Sequence, residues 1–279
     1  MADLRPVSQK DVDAVCAFLD ANMHRGMTKQ QYRSLFTYPW MSSKPGMGYL
    51  LEQEGEVVGF LGAIYSERMI QGRTELFCNL TNWCVLPTFR NESLRLLFAV
   101  HARSRQTILN LSPSEEVQKM LDVLRYRRLD TFKLFSFPLL QCWTLAGGAK
   151  LVWRDNEVES YLDEAGRKLV EDHRGTGCRF TVIVQDGEAC LLVSKRRCKS
   201  RLAFTEILHV SSPLLLRRNF ERVKLGLLLR DRSLWLAIDE RLLHARLPLM
   251  LPYRRVSFIK SSCTEPQDVD NLYSELAIL

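Results

Sequence analysis

The hydrophobic and polar positions along this chain follow two periods, which predicts a mixture of strands and helices. Apolar runs with strand-forming residues predict strands at residues 4–7, 49–52, 57–68, 73–85, 107–111 and 126–137. Apolar residues spaced three or four positions apart predict helices starting at Ser8 and spanning 28–36, 91–105 and 114–124. The first half of the chain is therefore predicted to have the order β-α-α-β-β-β-α-β-α-β.

The second half repeats this order in a weaker form. A helix at 157–172 precedes strands at 180–184, 188–195 and 202–210, a helix after Pro213 and a strand at 234–238. The segment QEGEVVGFLGA at 53 resembles QDGEACLLVSK at 185, and the triplet Tyr-Arg-Arg occurs at both 126 and 253. Landmarks with similar offsets indicate an internal duplication. We predict a first unit at 1–140, a linker at 141–156 and a second unit at 157–279.

One stretch from Thr81 to Val100, TNWCVLPTFRNESLRLLFAV, stands out as a candidate binding site. An apolar strand ends at Val85, Pro87 stops it, and a helix follows Arg90. The start of a helix leaves backbone N–H groups unpaired, and with the helix dipole and an arginine they favour an anion such as a pyrophosphate. The alternative is an ordinary strand-to-helix connection with a solvated arginine.

The order of elements and this junction resemble the GNAT superfamily of acyltransferases. Its members bind the pyrophosphate of acyl-CoA at a segment V-x-P-x-x-R-x-x-G-x-G/A, and Val85, Pro87 and Arg90 stand in the matching places. The two small positions hold Ser93 and Arg95. Because glycine there lets the backbone approach a phosphate, we expect Arg95 either to bind a phosphate or to block the site.

This resemblance implies an α/β (α+β) fold of two tandem GNAT-like units. Each unit would contain a mixed, mostly antiparallel twisted sheet flanked by helices. The co-substrate would be acetyl-CoA or another acyl-CoA, and its expected contacts are Cys84, Val85, Arg90, Asn91, Ser93, Leu94 and Arg95. The second unit has no R-x-x-G-x-G/A segment after Pro213, so we expect it to be degenerate for CoA.

Acyl transfer to an amine also needs groups that position the thioester and accept a proton. In the resembled family the sheet splays between the fourth and fifth strands, which places Asn110 and Ser112 beside the thioester. Glu75 on the fourth strand and Glu206 on a strand of the second unit are candidate bases, although a solvent-facing strand position is the alternative for Glu206. The usual tyrosine acid of the family corresponds here to Leu121, which cannot donate a proton.

The amino-acid composition indicates which classes of protein and of binding partner this chain fits. Hydrophobic residues make up 46% and charged residues 25% of the 279 residues, as in folded globular proteins. The net charge is +7, but no basic cluster is interleaved with aromatic residues, which argues against specific nucleic-acid binding. Eight cysteines without a Cys-x-x-Cys pair or metal-ligand spacing predict free thiols, a cytoplasmic protein and no metal site. The apolar stretch 132–153 contains Lys133, Pro138 and a Gly-Gly pair, so no membrane span is predicted.

Together these features favour an acyl-CoA-dependent N-acyltransferase that transfers an acetyl group to an amine of a small molecule or sugar. The alternative is a catalytically inactive GNAT-like binding or scaffold protein, because Leu121, Arg95 and the glycine-free second segment depart from the family pattern. A third hypothesis, a polyanion-binding protein, rests on the arginine clusters alone.

Overall fold

The structure, a computed structural model, describes residues 1–23, 27–103, 105–137, 148–199 and 202–279. It divides into two compact units. The first unit comprises Met1–Leu129, Val256–Val269 and Tyr273–Leu279, and the second comprises Asp130–Arg255 and Asp270–Leu272. Each unit contains a seven-stranded mixed sheet with helices beside it, so the predicted fold class is confirmed. Within the described ranges, no helix is both long enough and apolar enough to cross a membrane.

The elements of the first half of the chain are β1 Asp3–Pro6, α1 Val12–Asn22, α2 Lys29–Ser34, β2 Gly48–Gln53, β3 Glu56–Ile70, β4 Arg73–Val85, α3 Ser93–His101, β5 Thr107–Asn110, α4 Glu115–Val123, β6 Arg127–Arg128 and β7 Thr131–Ser136. The remaining elements are β8 Lys150–Val152, α5 Asp155–Val158, α6 Glu164–His173, β9 Arg179–Gln185, β10 Glu188–Lys199, β11 Leu202–Val210, α7 Pro213–Arg218, α8 Phe220–Asp231, β12 Trp235–Asp239, α9 Glu240–Leu243, β13 Met250–Arg255, β14 Phe258–Lys260 and α10 Glu275–Ile278.

Local sequence signals explain where the elements around β4 begin and end. The turn between β3 and β4 places Gln71 and Gly72 at φ 49° and 79°, a left-handed conformation that glycine adopts freely. Pro87 ends β4 and opens a 3-10 helix, Pro87–Glu92, which leads into α3. Ser114 begins α4, because its side chain accepts a hydrogen bond from the backbone N–H of Val117.

The two sheets have the same strand order except for one reciprocal exchange. The sheet of the first unit runs β1-β2-β3-β4-β5-β14-β6, and that of the second runs β8-β9-β10-β11-β12-β7-β13. β14 pairs antiparallel with β5 and β6, while β7 pairs antiparallel with β12 and β13. The sequence pattern predicted one strand at 126–137, but β6 and β7 are separate strands in different sheets.

Because of this exchange, the bounds of the two units differ from those that the sequence suggested. Residues 131–136 belong to the second unit, and residues 256–269 and 273–279 belong to the first. The side chains explain the difference, because Phe258 and Ile259 are fully buried in cores of the first unit and Leu134 is fully buried in the second. Of the expected linker 141–156, residues 141–147 lie outside the described residues, and residues 150–152 form β8.

Two apolar clusters hold β4 in place within the first unit. One cluster joins the buried Leu80 of β4 to Leu97 of α3 and Leu121 of α4. The other contains Leu19 of α1 and Phe60 of β3, and Cys84 of β4 packs against it. Burial of these apolar side chains fixes the strand from both faces, so that the polar groups at its end are carried on a rigid element.

Candidate functional site

β4 and β5 run parallel and then separate. They pair at Phe77–Thr107, Cys78–Ile108 and Asn79–Leu109. Beyond Asn79, β4 continues to Val85 along β3, while β5 ends at Asn110. Backbone N–H and C=O groups require hydrogen-bond partners. The edge of β4 from Leu80 to Val85 that faces away from β3 therefore presents a row of groups suited to an extended ligand.

A β-bulge interrupts β4 where the two strands separate. Gly62 of β3 lies opposite Thr81, but Phe60 lies opposite Cys84, so two residues of β4 oppose the single Leu61. One of the two, Asn82, has a left-handed backbone with φ 47°, a conformation that asparagine tolerates better than most residues. A bulge leaves one residue outside the ladder and redirects its side chain.

A cavity of about 520 Å³ lies between the separated strands, a size typical of small-ligand sites. Its wall is built from the open part of β4, the start of α3, the connection from β5 to α4, one face of α4 and the end of α1. Among the described residues, the charged ones of this wall are Arg90 and Glu116. Two hydrogen bonds lower the pKa of Glu116, from its own backbone N–H and then from Ser114, and the nearby charge of Arg90 adds to the effect.

The cavity brings together six of the residues that the sequence suggested. Cys84, Val85, Arg90 and Ser93 line it on the α3 side, and Asn110 and Ser112 line it on the β5 side. These six residues come from three separate segments, which the separation of β4 and β5 brings to one place.

Three other expected acyl-CoA contacts, Asn91, Leu94 and Arg95, are not part of the cavity wall. Arg95 forms an ion pair with Glu92, and its Nη1 donates a hydrogen bond to the carbonyl oxygen of Ala2 at 2.8 Å. These partners hold the guanidinium outside the wall. Arg95 therefore neither blocks this cavity nor reaches into it.

The helix start at the cavity suits an anionic group. Neither the 3-10 helix Pro87–Glu92 nor α3 has a side-chain hydrogen bond that caps its first N–H groups. The helix dipole and a nearby cation together favour phosphate at such a helix start. Arg90 supplies the cation and Ser93 adds a hydroxyl group.

Glu75 lies away from this cavity. It is seven residues before Asn82 on β4, which at 3.3 Å per residue corresponds to about 23 Å. It lines a separate cavity of about 260 Å³, where Cys263 Sγ donates a hydrogen bond to Glu75 Oε1 at 3.0 Å. The structure therefore does not bring Glu75 to the group of residues around Ser112.

Glu206 lies in the second unit, in the middle of β11, and is 3% exposed. Its carboxylate lies 2.6 Å from Lys133 Nζ, 3.1 Å from Arg197 Nε and 3.9 Å from Arg255 Nη1. Burial alone would raise the pKa of Glu206, but these three cations outweigh it and lower the pKa to about 2. So low a pKa makes a weak base near neutral pH. The network favours a structural role for Glu206.

The side chain at the expected tyrosine position is also structural. Leu121 is fully buried in the core beside α4. The face of α4 that meets the cavity presents Glu116, Val117 and Met120 instead. Among the described residues, the cavity wall contains no tyrosine.

Two neighbouring side chains on the bulge were not singled out from the sequence. Asn82 is 4% exposed, and in the described structure neither its amide nitrogen nor its amide oxygen has a hydrogen-bond partner. The indole N–H of Trp83 also has none. A buried polar group without a partner is costly unless a ligand satisfies it. The feature of the sequence that could have indicated Asn82 is an asparagine inside an apolar strand.

A third polar residue missed by the sequence analysis is Glu275, the first residue of α10. Ser112 Oγ donates a hydrogen bond to Glu275 Oε1 at 2.6 Å, and Asn79 Nδ2 donates to the other carboxylate oxygen. The carboxylate therefore lies directly behind a hydroxyl group of the cavity wall. Glu275 is 163 positions from Ser112, and no spacing rule connects residues so far apart.

No protein-family model and no curated protein matches the chain. Solved structures match most of its length. A GCN5-related N-acetyltransferase from Anabaena variabilis has a TM-score of 0.60 at 9% identity, over 93% of this chain and 72% of that one. A putative acetyltransferase from Pyrococcus horikoshii has a TM-score of 0.56 at 12% identity, over 96% and 92%. A glucosamine N-acetyltransferase region of a fungal multidomain GH3 β-N-acetylglucosaminidase has a TM-score of 0.61 at 11% identity, over 93% and 38%. At these identities the likeness shows the fold, and the predicted GNAT fold is confirmed.

Proposed function

The chain has the fold of the GNAT superfamily, and we propose that its first unit is an acyl-CoA-dependent N-acyltransferase. The reaction would transfer an acetyl group to the amine of a small molecule or sugar. One observation carries the proposal. The open edge of β4, the uncapped helix start with Arg90 and the unpartnered side chain of Asn82 meet at a single cavity.

Each part of this cavity suits one part of acyl-CoA. The helix start and Arg90 would hold the pyrophosphate through charge-assisted hydrogen bonds. The amide groups of the pantetheine arm would pair with the open backbone edge of β4, as an added strand does. This arrangement would direct the thioester toward the bulge, where the Asn82 amide and the Trp83 indole N–H lack partners in the described structure. Groups of this kind stabilise the charge that develops on a reacting carbonyl oxygen.

The acceptor would approach the same point from the β5 side, where Asn110 and Ser112 line the cavity. A polar acceptor such as an amino sugar would satisfy these side chains. The glucosamine N-acetyltransferase region among the structural neighbours acts on such a compound, which agrees with the proposed class of acceptor.

The second unit has different features at the corresponding position. β11 and β12 stay paired in parallel through Ile207–Ile238, close to the end of β11. Ser212 caps α7, since its side chain accepts a hydrogen bond from the backbone N–H of Leu215. The equivalent N–H group of the first unit, that of Phe89, donates to the backbone carbonyl oxygen of Leu86, so the pairing of the strands is what distinguishes the two positions. We propose that the second unit supports the structure and does not bind CoA.

The seven cysteines of the described ranges are all free thiols. This agrees with the reducing cytoplasm that we propose as the compartment of the reaction.

The test begins with calorimetric titration of acetyl-CoA, longer acyl-CoAs and desulfo-CoA. Replacing Arg90 with Ala should weaken binding about 10- to 100-fold, because a hydrogen bond to a charged group contributes about 1.5–3 kcal/mol. Glu116→Gln should strengthen binding, since it removes a negative charge from the wall that meets Arg90. The matched control is Arg73→Ala, which removes an exposed arginine at the opposite end of β4.

Two results would contradict the proposal. If the wild type binds no acyl-CoA, the assignment of the cavity fails. If Arg90→Ala binds as tightly as the wild type, the pyrophosphate lies elsewhere. Thiol release from acetyl-CoA with a panel of amines and amino sugars then tests turnover.

The competing candidate is a protein that binds acyl-CoA without turnover. The observation in its favour is the buried Leu121 at the position of the usual tyrosine acid. Binding of acetyl-CoA without thiol release for any amine would support this candidate.

A further inference from the structure

Glu275 differs from the other buried acidic residues of the described chain. Each of the others is held by a cation: Glu92 by Arg95, Glu206 by Lys133, Asp231 by Arg230 and Asp239 by Arg241. Glu275 is 4% exposed, and among the described residues no lysine, arginine or histidine pairs with it. Its carboxylate is held by a hydroxyl and an amide instead. A buried carboxylate without a cation calls for a functional explanation.

The geometry sets the direction of the hydrogen bond between Ser112 and Glu275. The hydroxyl group of Ser112 donates to Glu275 Oε1 across 2.6 Å, so its proton points at the carboxyl group. The lone pairs of Ser112 Oγ are then free to accept, and Ser112 is an exposed residue of the cavity wall. The amide of Asn79 fixes the second carboxylate oxygen and hence the orientation of the carboxylate.

We propose that Ser112 and Glu275 form a proton relay that accepts the proton of the acceptor amine during acyl transfer. The inference rests on the proposed function and names the proton acceptor for it. Ser112 is the catalytic residue, because it lines the cavity and meets the amine. Glu275 acts through Ser112 and receives the proton at its far end.

The amine nitrogen forms a bond to the thioester carbonyl carbon, and the C–S bond breaks with its electron pair on the sulfur. The proton of the nitrogen passes to Ser112 Oγ while the hydroxyl proton of Ser112 passes to Glu275. The departing thiolate takes a proton from solvent, and Glu275 returns its proton to solvent. The net products are an amide and the free thiol of CoA.

Steady-state kinetics of the full-length chain test the relay with the best amine from the panel. Glu275→Gln keeps the size of the side chain but cannot accept a proton. It should lower kcat at least about 100-fold, the lower end for general base catalysis, with the Kd for acetyl-CoA unchanged. The dependence of kcat/KM on pH should also differ from that of the wild type.

The serine variants separate a relay from a structural role. Ser112→Ala should reduce kcat by a similar factor, and the double variant should be no slower than either single one, because the two residues act as a unit. Ser112→Thr keeps the hydroxyl group and should restore part of the activity. The matched control is Ser257→Ala, which removes a buried serine hydroxyl of the same unit that donates to the carbonyl oxygen of Leu111 at 3.0 Å. It should retain activity within about twofold.

The outcomes distinguish the relay from the function on which it rests. Wild-type turnover with normal kcat and an unchanged pH profile in Glu275→Gln would overturn the relay and leave the transferase assignment intact. Losses that multiply in the double variant would also overturn it. A wild type that binds no acyl-CoA would overturn both. Melting temperatures near that of the wild type would show that any loss of kcat is not a loss of fold.

Discussion

Replacement of Glu206 by Gln tests how the second unit is stabilised. The carboxylate is almost fully buried and faces Lys133, Arg197 and Arg255. The variant removes the negative charge that pairs with these three cations and leaves the cations in place. Buried charges without a counter-charge are costly, so the second unit should lose stability.

The magnitude follows from the pKa of Glu206. The surroundings lower it from 4.5 to about 2, which corresponds to roughly 3 kcal/mol at 1.36 kcal/mol per unit. Loss of one partner of a buried ion pair costs about 3–5 kcal/mol in other proteins. The two figures agree, and burial leaves little room for solvent screening. We therefore expect Glu206→Gln to lower the free energy of unfolding by about 3 kcal/mol at neutral pH.

The pH dependence has a defined sign. Because the folded-state pKa lies below the ordinary value of 4.5, the contribution is complete above pH 4.5 and is lost as the pH falls toward 2. The wild type should lose this stability over that window, and the difference between wild type and Glu206→Gln should shrink there. The fold of the second unit is thus expected to be acid-sensitive through this carboxylate.

Hydrogen exchange in urea, read on peptides from β9 to β12, measures the second unit separately. This is needed because a chain of two units need not unfold in a single transition. The control is Glu159→Gln, which breaks the exposed ion pair with Arg174 and should cost less than about 1 kcal/mol. A cost below 1 kcal/mol for Glu206→Gln, or a difference from the wild type that stays constant down to pH 2, would refute the reasoning.

Two further predictions concern the first unit. Asn82→Gly still allows the left-handed backbone and removes a buried amide that has no partner in the described structure. The melting temperature should therefore stay unchanged or rise, while kcat falls. A lower melting temperature with normal kcat would contradict the proposed contact with substrate. The fragment 1–140 lacks β14, so β5 loses its antiparallel partner and the buried side chains of Phe258 and Ile259. The fragment should therefore show no cooperative thermal unfolding, and addition of a peptide of residues 256–279 should restore cooperative unfolding. Cooperative unfolding of the fragment alone would count against the strand exchange.

Much of the secondary structure could be predicted because its causes are local. β4 spans residues 73–85 as the apolar pattern predicts, and α4 begins after its predicted cap, Ser114. The splay between β4 and β5 was expected from the resemblance to the GNAT family, and Arg90, Asn110 and Ser112 line the cavity there. The bounds of β4 and the start of α4 each depend on a few neighbouring residues.

The pairing of β7 could not be predicted because alternation of apolar residues does not specify which sheet a strand joins. β6 and β7 are separated by two residues, Leu129 and Asp130, yet they pair in different sheets. The similarity of Tyr126-Arg127-Arg128 to Tyr253-Arg254-Arg255 nevertheless indicated which strands of the two sheets are equivalent. Arg127 and Arg128 form β6 and the triplet 253–255 lies on β13, and both strands are at the edge of a sheet beside the exchanged strand.

The same exchange explains why the most informative part of the site was missed. Ser112 donates a hydrogen bond to Glu275, 163 positions away. From the sequence, Glu275 follows the helix cap Ser274, a position that is usually solvent-exposed. Because β14 completes the first sheet, the segment 273–279 packs in the first unit and places Glu275 behind Ser112. If the relay operates, the activity of the first unit depends on residues that lie after the second unit in the sequence, and the strand exchange is what connects them.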